Sequence, residues 1–196
     1  GATVAIQGFG NAGQFAATLG SSILGLKLIA ASDSQGGVIN DKGIDPKALI
    51  EHKNKTGKVA GFPGSKPISN EDLLELKVDV LFPSALENQI TEKNAKNIKA
   101  RISCELANGP TTPGADEILF KNGVVVLPDF LANAGGVTVS YFEQVQNTYN
   151  YYWPIEEVQK QLDAKMTKAF NDVHQMSQKE KVHMRMAAYM VAVKRV

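Results

Sequence analysis

The stretch that decides the fold is Gly8-Phe9-Gly10-Asn11-Ala12-Gly13, a G-x-G-x-x-G sequence near the start of a 196-residue chain. The β-branched run Thr3–Gln7 before it predicts a strand, and Asn11–Leu24 after it predicts a helix. In such a turn the three glycines permit a tight bend, a close approach to a pyrophosphate, and close packing of helix on strand. Amides at the helix start can then bind a phosphate. The stretch therefore predicts a dinucleotide-binding turn, the alternative being a turn packed only for its own sake.

Asp33 is at a position from which it can bind the ribose of such a ligand. It lies about 20 residues beyond the turn, at the end of the second predicted strand. A carboxylate there can accept hydrogen bonds from both ribose hydroxyls and repels a 2′-phosphate, so NAD is the predicted cofactor and NADP is possible but less favoured. No arginine follows Asp33 directly, but three nearby lysines could compensate for a phosphate: Lys27, Lys42 and Lys47. The alternative is a solvated turn aspartate before residues 34–37.

Predicted strands and helices alternate along the first two thirds of the chain. Further strands are predicted at residues 26–32, 78–82, 100–105 and 124–127, and helices at 46–52, 71–76, 91–95 and 113–121. This alternation indicates an α/β fold with a Rossmann-type, doubly wound and mainly parallel sheet.

The last third of the chain has no strand pattern, and its apolar residues recur at helical spacing. A helical C-terminal extension is predicted, with its last helix starting near Met186. That helix reaches the terminus without a capping glycine or asparagine, so we expect it to be truncated and to lack a packed partner. All 196 residues are assigned to one dinucleotide-binding domain.

Composition limits the classes of partner. The formal net charge of +1 gives no general attraction for nucleic acid or an anionic membrane, and no apolar run approaches the ~20 residues of a membrane helix. Cys104 is the single cysteine, so no internal disulfide can form and a reducing, cytoplasmic setting is predicted. The three histidines show no metal-ligand spacing, so no metal site is predicted.

Several phrases in a consistent order resemble the glutamate dehydrogenases: QGFGN at 7–11, SDS at 32–34, PSALENQ at 83–89, ANGPTTP at 107–113 and NAGGVTVSYFE at 133–143. The likeness runs over essentially the whole chain. It implies a two-domain, usually homohexameric enzyme that oxidatively deaminates glutamate to 2-oxoglutarate and ammonia, with hydride transfer to NAD(P).

The resemblance also implies a set of cofactor-binding residues. The pyrophosphate would be surrounded by Gly8, Phe9, Gly10, Asn11, Ala12 and Gly13, and the adenosine ribose would be bound by Asp33 and Ser34. Ser84, Ala85 and Gln89 would line the cleft, and Asn108 and Asn133 would reach the nicotinamide half. Ligands of open α/β sheets bind beyond the carboxyl ends of strands, which suits loops that follow strands. For either asparagine the ordinary alternative is a turn residue bonded to its own backbone.

Two positions depart from the family phrases. Leu106 stands where glycine is usual, so the backbone before Asn108 is expected to differ, and Ser84 stands where alanine is common.

Ser140 bears on the substrate. The glutamate enzymes use the serine of G-G-V-x-V-S to help hold the substrate γ-carboxylate, whereas relatives that accept leucine, phenylalanine or valine have an apolar residue there. Val137 and Ser140 share one face of the predicted helix, so both are predicted substrate-binding residues. The alternative is a serine bonded back to a helix carbonyl.

No catalytic residue is predicted in this chain. The resemblance implies a lysine and an aspartate in a preceding N-terminal domain, and no lysine here lies in a matching glycine-rich phrase. We therefore expect the chain to bind cofactor without turnover on its own. A nucleotide-sensing module and an S-adenosylmethionine methyltransferase are the alternatives from other classes.

Overall fold

The structure is a computed structural model that describes residues 1–196. Its first elements are β1 (Thr3–Gln7), α1 (Asn11–Leu24), β2 (Lys27–Asp33), β3 (Gly36–Ile39) and α2 (Pro46–Thr56). They are followed by β4 (Lys66–Ile68), α3 (Asn70–Leu74), β5 (Val80–Pro83), a 3-10 helix (Ala95–Asn97), β6 (Ile102–Cys104), α4 (Pro113–Lys121) and β7 (Val125–Leu127). The last elements are α5 (Asp129–Ala132), α6 (Ala134–Tyr149), α7 (Ile155–Glu180) and α8 (Met184–Val193).

The strands form one sheet of seven in the order β4-β3-β2-β1-β5-β6-β7. β1 pairs in parallel with β2 and with β5, and β5 pairs in parallel with β6. The chain runs from β1 to β2 on one side, whereas β5 continues the sheet on the other. In open α/β sheets, ligands bind at the carboxyl ends of strands where the order reverses in this way. The predicted Rossmann-type, mainly parallel sheet is confirmed.

The edge of the sheet at β3 and β4 is antiparallel and was not predicted from the sequence. The alternative for Asp33 was a solvated turn aspartate before residues 34–37. In the structure Asp33 ends β2, and the turn is confined to Ser34 and Gln35 because Asp33 pairs with Gly36. Gly36 has a φ of 116°, which a residue with a side chain rarely adopts. Gly36 and Gly37 therefore belong to a strand of a tight hairpin.

Residues 91–95 also differ from the helix predicted for them. The side chain of Asn94 accepts a hydrogen bond from the Thr91 amide at 2.8 Å. Such local bonds compete with helix formation. The segment forms a turn that ends in the short 3-10 helix.

Each face of the sheet has its own hydrophobic core. Val4 and Ile6 pack on one face in a cluster that includes Leu49 of α2, whereas Ala5 packs on the other face in a cluster that includes Leu119 of α4. Successive side chains of a strand point to opposite faces. Burial on both faces explains why β1 is a continuous apolar run up to its last residue.

Two compact units divide the chain, residues 1–126 and residues 127–196. The first contains most of the sheet, and the second is built from α5 to α8. No helix in the chain combines the length and the apolar character needed to cross a membrane. The assignment of all 196 residues to one dinucleotide-binding domain stays a prediction.

Within the second unit, α8 has a packed partner, which differs from the expectation for a helix starting near Met186. Ala187 is fully buried in a cluster with apolar residues of α7. Arg185 donates to Asp129 at 2.8 Å, and both side chains are at most 16% exposed. His183 caps the helix start by accepting a backbone hydrogen bond through Nδ1. The apolar pattern of this short helix could not indicate which distant residues it contacts.

We predict that Arg185→Ala will loosen α8. The variant removes a mostly buried ion pair with Asp129, and losing a hydrogen bond between charged groups typically costs about 1.5–3 kcal/mol. Amide hydrogen exchange at Ala187 should therefore become faster by at least about tenfold.

The matched control is Arg195→Ala, which removes an ion pair to Asp172 whose arginine is 60% exposed. Exposed pairs contribute at most about 1 kcal/mol, so exchange at Ala187 should change little. Equal effects of the two variants would contradict a specific role for Arg185.

Candidate functional site

The three glycines of the turn have different steric surroundings. Gly8 has a φ of 92°, and a Cβ there would lie 2.6 Å from the Ala85 amide nitrogen. A Cβ on Gly13 would collide with the carbonyl oxygen of Gly8, whereas a Cβ on Gly10 would meet no atom within 4 Å. Gly8 and Gly13 are therefore required by packing. Gly10 borders open space, which fits a ligand that approaches the backbone closely.

The start of α1 faces this space with unpaired amides. Gly10 is the N-cap residue and gives no side-chain cap, and the first turn of α1 contains no acidic residue. Asn11 and Ala12 are exposed, and first-turn amides have no partner within a helix. Phe9 is fully buried and anchors the turn in the core. The arrangement can bind an anion such as a pyrophosphate.

The loops after β5 and β6 are tied to each other by backbone hydrogen bonds. The amide of Asn88 donates to Gly109 O, and that of Ile90 donates to Pro110 O, both at 2.8 Å. Ala85 and Asn108 are exposed on these loops, at the carboxyl edge of the sheet. The structure thus brings the predicted residues of the two loops together with the glycine turn, since Gly8 approaches Ala85 directly.

The two departures from the family phrases leave the backbone regular. Leu106 has no positive φ, and its amide donates to the carbonyl of Pro83 at 3.0 Å. The amide of Ser84 donates to Gln7 O at 2.7 Å. Neither substitution forces a strained conformation in the crevice.

Gln7 is a further candidate site residue, which the sequence alone did not single out. It is only 1% exposed, and its Nε2 donates to Gln89 Oε1 at 2.8 Å, whereas its own Oε1 is buried without a partner. A buried acceptor without a donor is unfavourable. A polar ligand in the crevice between β1 and β5 fits this chemistry. Only the position of Gln7, at the last residue of a strand, could have indicated its role.

Asp33 lies in a dense set of hydrogen bonds. Its Oδ1 accepts from the Gln35 amide at 2.9 Å, and its Oδ2 accepts from the Val59 amide at 2.9 Å and from Lys53 Nζ at 3.0 Å. A carboxylate offers about four acceptor positions, so about one remains, on Oδ1. The carboxylate is oriented from three directions and has limited capacity for a further donor.

The pKa of Asp33 is lowered by these contacts. Burial raises it, but the hydrogen bonds from Gln35, Lys53 and Val59 together outweigh burial. The carboxylate is therefore ionised at neutral pH.

The lysine beside Asp33 is Lys53, which the sequence did not indicate. Of the three lysines that the sequence did indicate, Lys27 donates instead to the carbonyl of Asp41. Nothing in the sequence around Lys53 signals its role, because the packing of α2 brings it to the acid.

Three predicted residues lie in the second unit. Asn133 precedes α6 directly and is half-buried, and Val137 and Ser140 are exposed on the helix. Thr138 donates to the carbonyl four residues before it, the bond considered as the alternative for Ser140. Ser140 makes no such bond and lines an open groove on α6 together with Gln144. Its hydroxyl is available to a ligand or a partner surface.

Cys104, the last residue of β6, carries the single thiol of the chain. Burial, with the neighbouring Glu105 as a second cause, raises the pKa of Cys104 to about 12, so its thiol is neutral. No group of three or more His, Cys, Asp and Glu side chains is arranged to hold a metal ion.

These features define a protein with a Rossmann-type α/β fold. The model of one family, Glutamate/Leucine/Phenylalanine/Valine dehydrogenase, matches residues 1–196, and the chain belongs to this family. A glutamate dehydrogenase of Thermotoga maritima is 54% identical over 195 residues, and an NAD-specific glutamate dehydrogenase of Staphylococcus aureus is 48% identical over 195 residues. Each comparison covers 100% of this chain and 47% of the relative. The chain thus spans about half the length of these relatives.

Solved structures agree with this assignment. The hetero-hexameric glutamate dehydrogenase of Thermus thermophilus, in a leucine-bound form, superposes with a TM-score of 0.90 at 29% identity, over 100% of this chain and 46% of that one. The glutamate dehydrogenase of Peptoniphilus asaccharolyticus gives a TM-score of 0.81 at 38% identity, over 99% and 45% of the two chains.

We predict that alanine substitutions will separate the glycines by function. Gly13→Ala should lower the free energy of unfolding by about 1–3 kcal/mol, because the new Cβ forces α1 away from the turn. Gly10→Ala should lower it by less than about 1 kcal/mol, since its φ of −85° suits alanine and its surroundings are open. Urea unfolding measures both values. Equal losses would contradict the distinction between a packing glycine and a ligand-facing glycine.

Proposed function

We propose that this chain is the dinucleotide-binding part of a glutamate dehydrogenase, which oxidatively deaminates L-glutamate to 2-oxoglutarate and ammonia. The observation that carries the proposal is the open space at Gly10, beside unpaired helix amides at the point where the strand order reverses. A pyrophosphate fits there by charge and by space. The relatives named above support the choice of reaction.

The residues that would bind the dinucleotide surround this space. The glycine turn and Asn11 would hold the pyrophosphate, and Asp33 and Ser34 would bind the adenosine ribose. Ser84, Ala85 and Gln89 would line the cofactor cleft. Asn108 and Asn133 are the residues proposed for the nicotinamide half. A bound nicotinamide supplies hydride transfer, and the protein supplies orientation. The unpaired Oε1 of Gln7 supports a polar ligand at the carboxyl ends of β1 and β5.

We propose NAD as the cofactor. We also propose that the chain discriminates against NADP less strongly than it would if Asp33 had no lysine beside it. Asp33 remains ionised and repels a 2′-phosphate, but Lys53 at 3.0 Å offsets much of its charge. Because about one acceptor position remains on Asp33, we propose one hydrogen bond to the ribose rather than the two expected from the sequence.

We predict that Asp33→Ser will change cofactor preference. Losing a hydrogen bond to a charged group typically costs about 1.5–3 kcal/mol, so NADH affinity should fall by at least about tenfold. NADPH affinity should hold or rise, since the repulsion is removed and Lys53 becomes free to bind phosphate. Calorimetric titration of both cofactors measures the effect.

The matched variant is Asp33→Ser combined with Lys53→Gln. It should abolish any gain in NADPH affinity while leaving the NADH value close to that of Asp33→Ser alone. Equal losses of NADH and NADPH in Asp33→Ser would mean that Asp33 is structural.

The substrate is proposed from α6. Ser140 has a free hydroxyl beside the exposed Val137, on a helix that begins next to Asn133. One helix can therefore touch cofactor at its start and the γ-carboxylate of glutamate two turns later. A leucine, phenylalanine or valine dehydrogenase would require an apolar residue in place of Ser140.

We predict that Ser140→Ala in the full-length protein will lower kcat/KM for glutamate by about tenfold to a hundredfold, the loss of one hydrogen bond to a carboxylate. Norvaline has no γ-carboxylate, so its kcat/KM should hardly change, and NADH affinity should stay the same. A uniform loss for both amino acids would indicate a folding role, and no loss for glutamate would remove Ser140 from the site.

The rest of the full-length protein would supply the catalytic side chains. We propose that an N-terminal domain carries them, that the assembly is a homohexamer, and that neither nucleic acid nor a membrane is a partner. A cytoplasmic enzyme is in keeping with the single, mostly buried Cys104.

We predict that these 196 residues bind NADH but do not oxidise glutamate, because the lysine and aspartate that transfer protons are proposed to lie in the N-terminal domain. Gly10→Ala should weaken NADH binding by at least about tenfold without the stability loss of Gly13→Ala, since a methyl group would occupy the pyrophosphate space. Fluorescence titration and a steady-state assay test the two statements. Glutamate oxidation by a pure sample of this chain would contradict the proposal that the catalytic side chains lie in the N-terminal domain.

A further inference from the structure

One backbone carbonyl holds the glycine turn in place. The oxygen of Ser32 accepts two hydrogen bonds, from the amide of Gly8 at 2.9 Å and from that of Phe9 at 2.7 Å. Ser32 is fully buried and is followed directly by Asp33. The position of the turn relative to the acid therefore depends on how the end of β2 is oriented.

Asn70, the first residue of α3, binds both residues at this point. The hydroxyl of Ser32 donates to Asn70 Oδ1 at 2.7 Å, and Asn70 Nδ2 donates to the carbonyl of Asp33 at 3.2 Å. A backbone carbonyl only accepts, so the NH₂ group must face Asp33 and the amide oxygen must face Ser32. Asparagine supplies the acceptor and the donor in one short side chain.

The anchorage of α3 makes this contact rigid. Leu73 and Leu74 of the same helix are buried in the core on one face of the sheet. On the other side, the Asp33 carboxylate is bound by Lys53 and by the Val59 amide. The end of β2 is thus held through its main chain by Asn70 and through its side chain by separate groups.

We propose that Asn70 is a positioning residue for the dinucleotide. It touches no part of the ligand, and it sets the distance between the turn that binds pyrophosphate and the acid that binds ribose. The proposal rests on the proposed function. A ligand that engages the turn and the acid together should depend on Asn70, whereas a ligand that engages only one of them should not.

The test compares ADP-ribose, which reaches both the turn and Asp33, with adenosine, which reaches only Asp33. In Asn70→Ala, affinity for ADP-ribose and NADH should fall by about fivefold to tenfold, as expected for the loss of neutral hydrogen bonds. Affinity for adenosine should change by less than about twofold, because Lys53 and Val59 still hold the carboxylate. Calorimetry serves for the tight ligands and chemical-shift titration for adenosine.

Further variants separate positioning from a general effect on folding. Ser32→Ala removes one arm of the contact, and the double variant with Asn70→Ala should bind ADP-ribose no worse than Asn70→Ala alone. Asn70→Asp keeps the acceptor for Ser32 but sets a carboxylate oxygen against the Asp33 carbonyl, so the loss of ADP-ribose affinity should be at least as large as in Asn70→Ala. Asn97→Ala is the control, because the side chain of Asn97 bonds only to Glu75 at the surface, and all affinities should be unchanged.

The outcomes are distinguishable. Unchanged ADP-ribose affinity in Asn70→Ala, or equal losses for ADP-ribose and adenosine, would overturn the positioning role while leaving the proposed function intact. A wild-type chain that binds neither NADH nor ADP-ribose would contradict the proposed function itself, and the role of Asn70 with it.

Discussion

The close approach of backbone to backbone at the glycine turn is the constraint on which the rest of the site depends. Gly8 lies against the β5 loop at Ala85, and Gly13 lies against the carbonyl of Gly8, with no room for a Cβ at either position. This contact brings α1 onto the carboxyl ends of β1 and β5. The helix amides, the loop after β5 and the buried Gln7 are neighbours because the turn is this tight.

The contacts of Asp33 at the end of β2 change the properties expected of an aspartate at this position of the motif. A lone aspartate would repel a 2′-phosphate with a full charge and could accept from two ribose hydroxyls. Here Lys53 neutralises part of the charge, and three donors occupy most of the acceptor positions. The same hydrogen bonds outweigh desolvation and lower the pKa of Asp33, so they also fix its ionisation. In the proposed function, cofactor preference would thus depend on Lys53 of α2 as well as on Asp33.

Packing in the second unit follows a different principle from packing around the sheet. α8 contributes small residues, Ala187 and Ala188, which allow close contact with α7, and the Arg185–Asp129 pair adds a directional bond. The exposed surface of α6 is left free of such contacts at Val137 and Ser140. A surface with apolar and hydroxyl groups side by side is suited to a binding role in a larger assembly.

The sequence by itself determined the local elements with strong periodicity and the turn chemistry. β1, α1 and α4 were predicted at their observed bounds, and the roles of Gly8, Gly10 and Gly13 agree with their steric surroundings. These features depend on residues close in the chain, so a short window contains the needed information.

Only the tertiary structure decided which distant groups meet. The antiparallel β3 and β4 are short and carry glycine and proline, so no alternation marked them as strands. Lys53, Gln7 and Asn70 acquire their roles through contacts 20 to 82 residues away along the chain. The docking of α8 likewise depends on a bond between residues 56 positions apart. Such contacts arise from the packing of whole helices and strands. The residues adjacent in sequence to a contacting residue therefore do not indicate its partner.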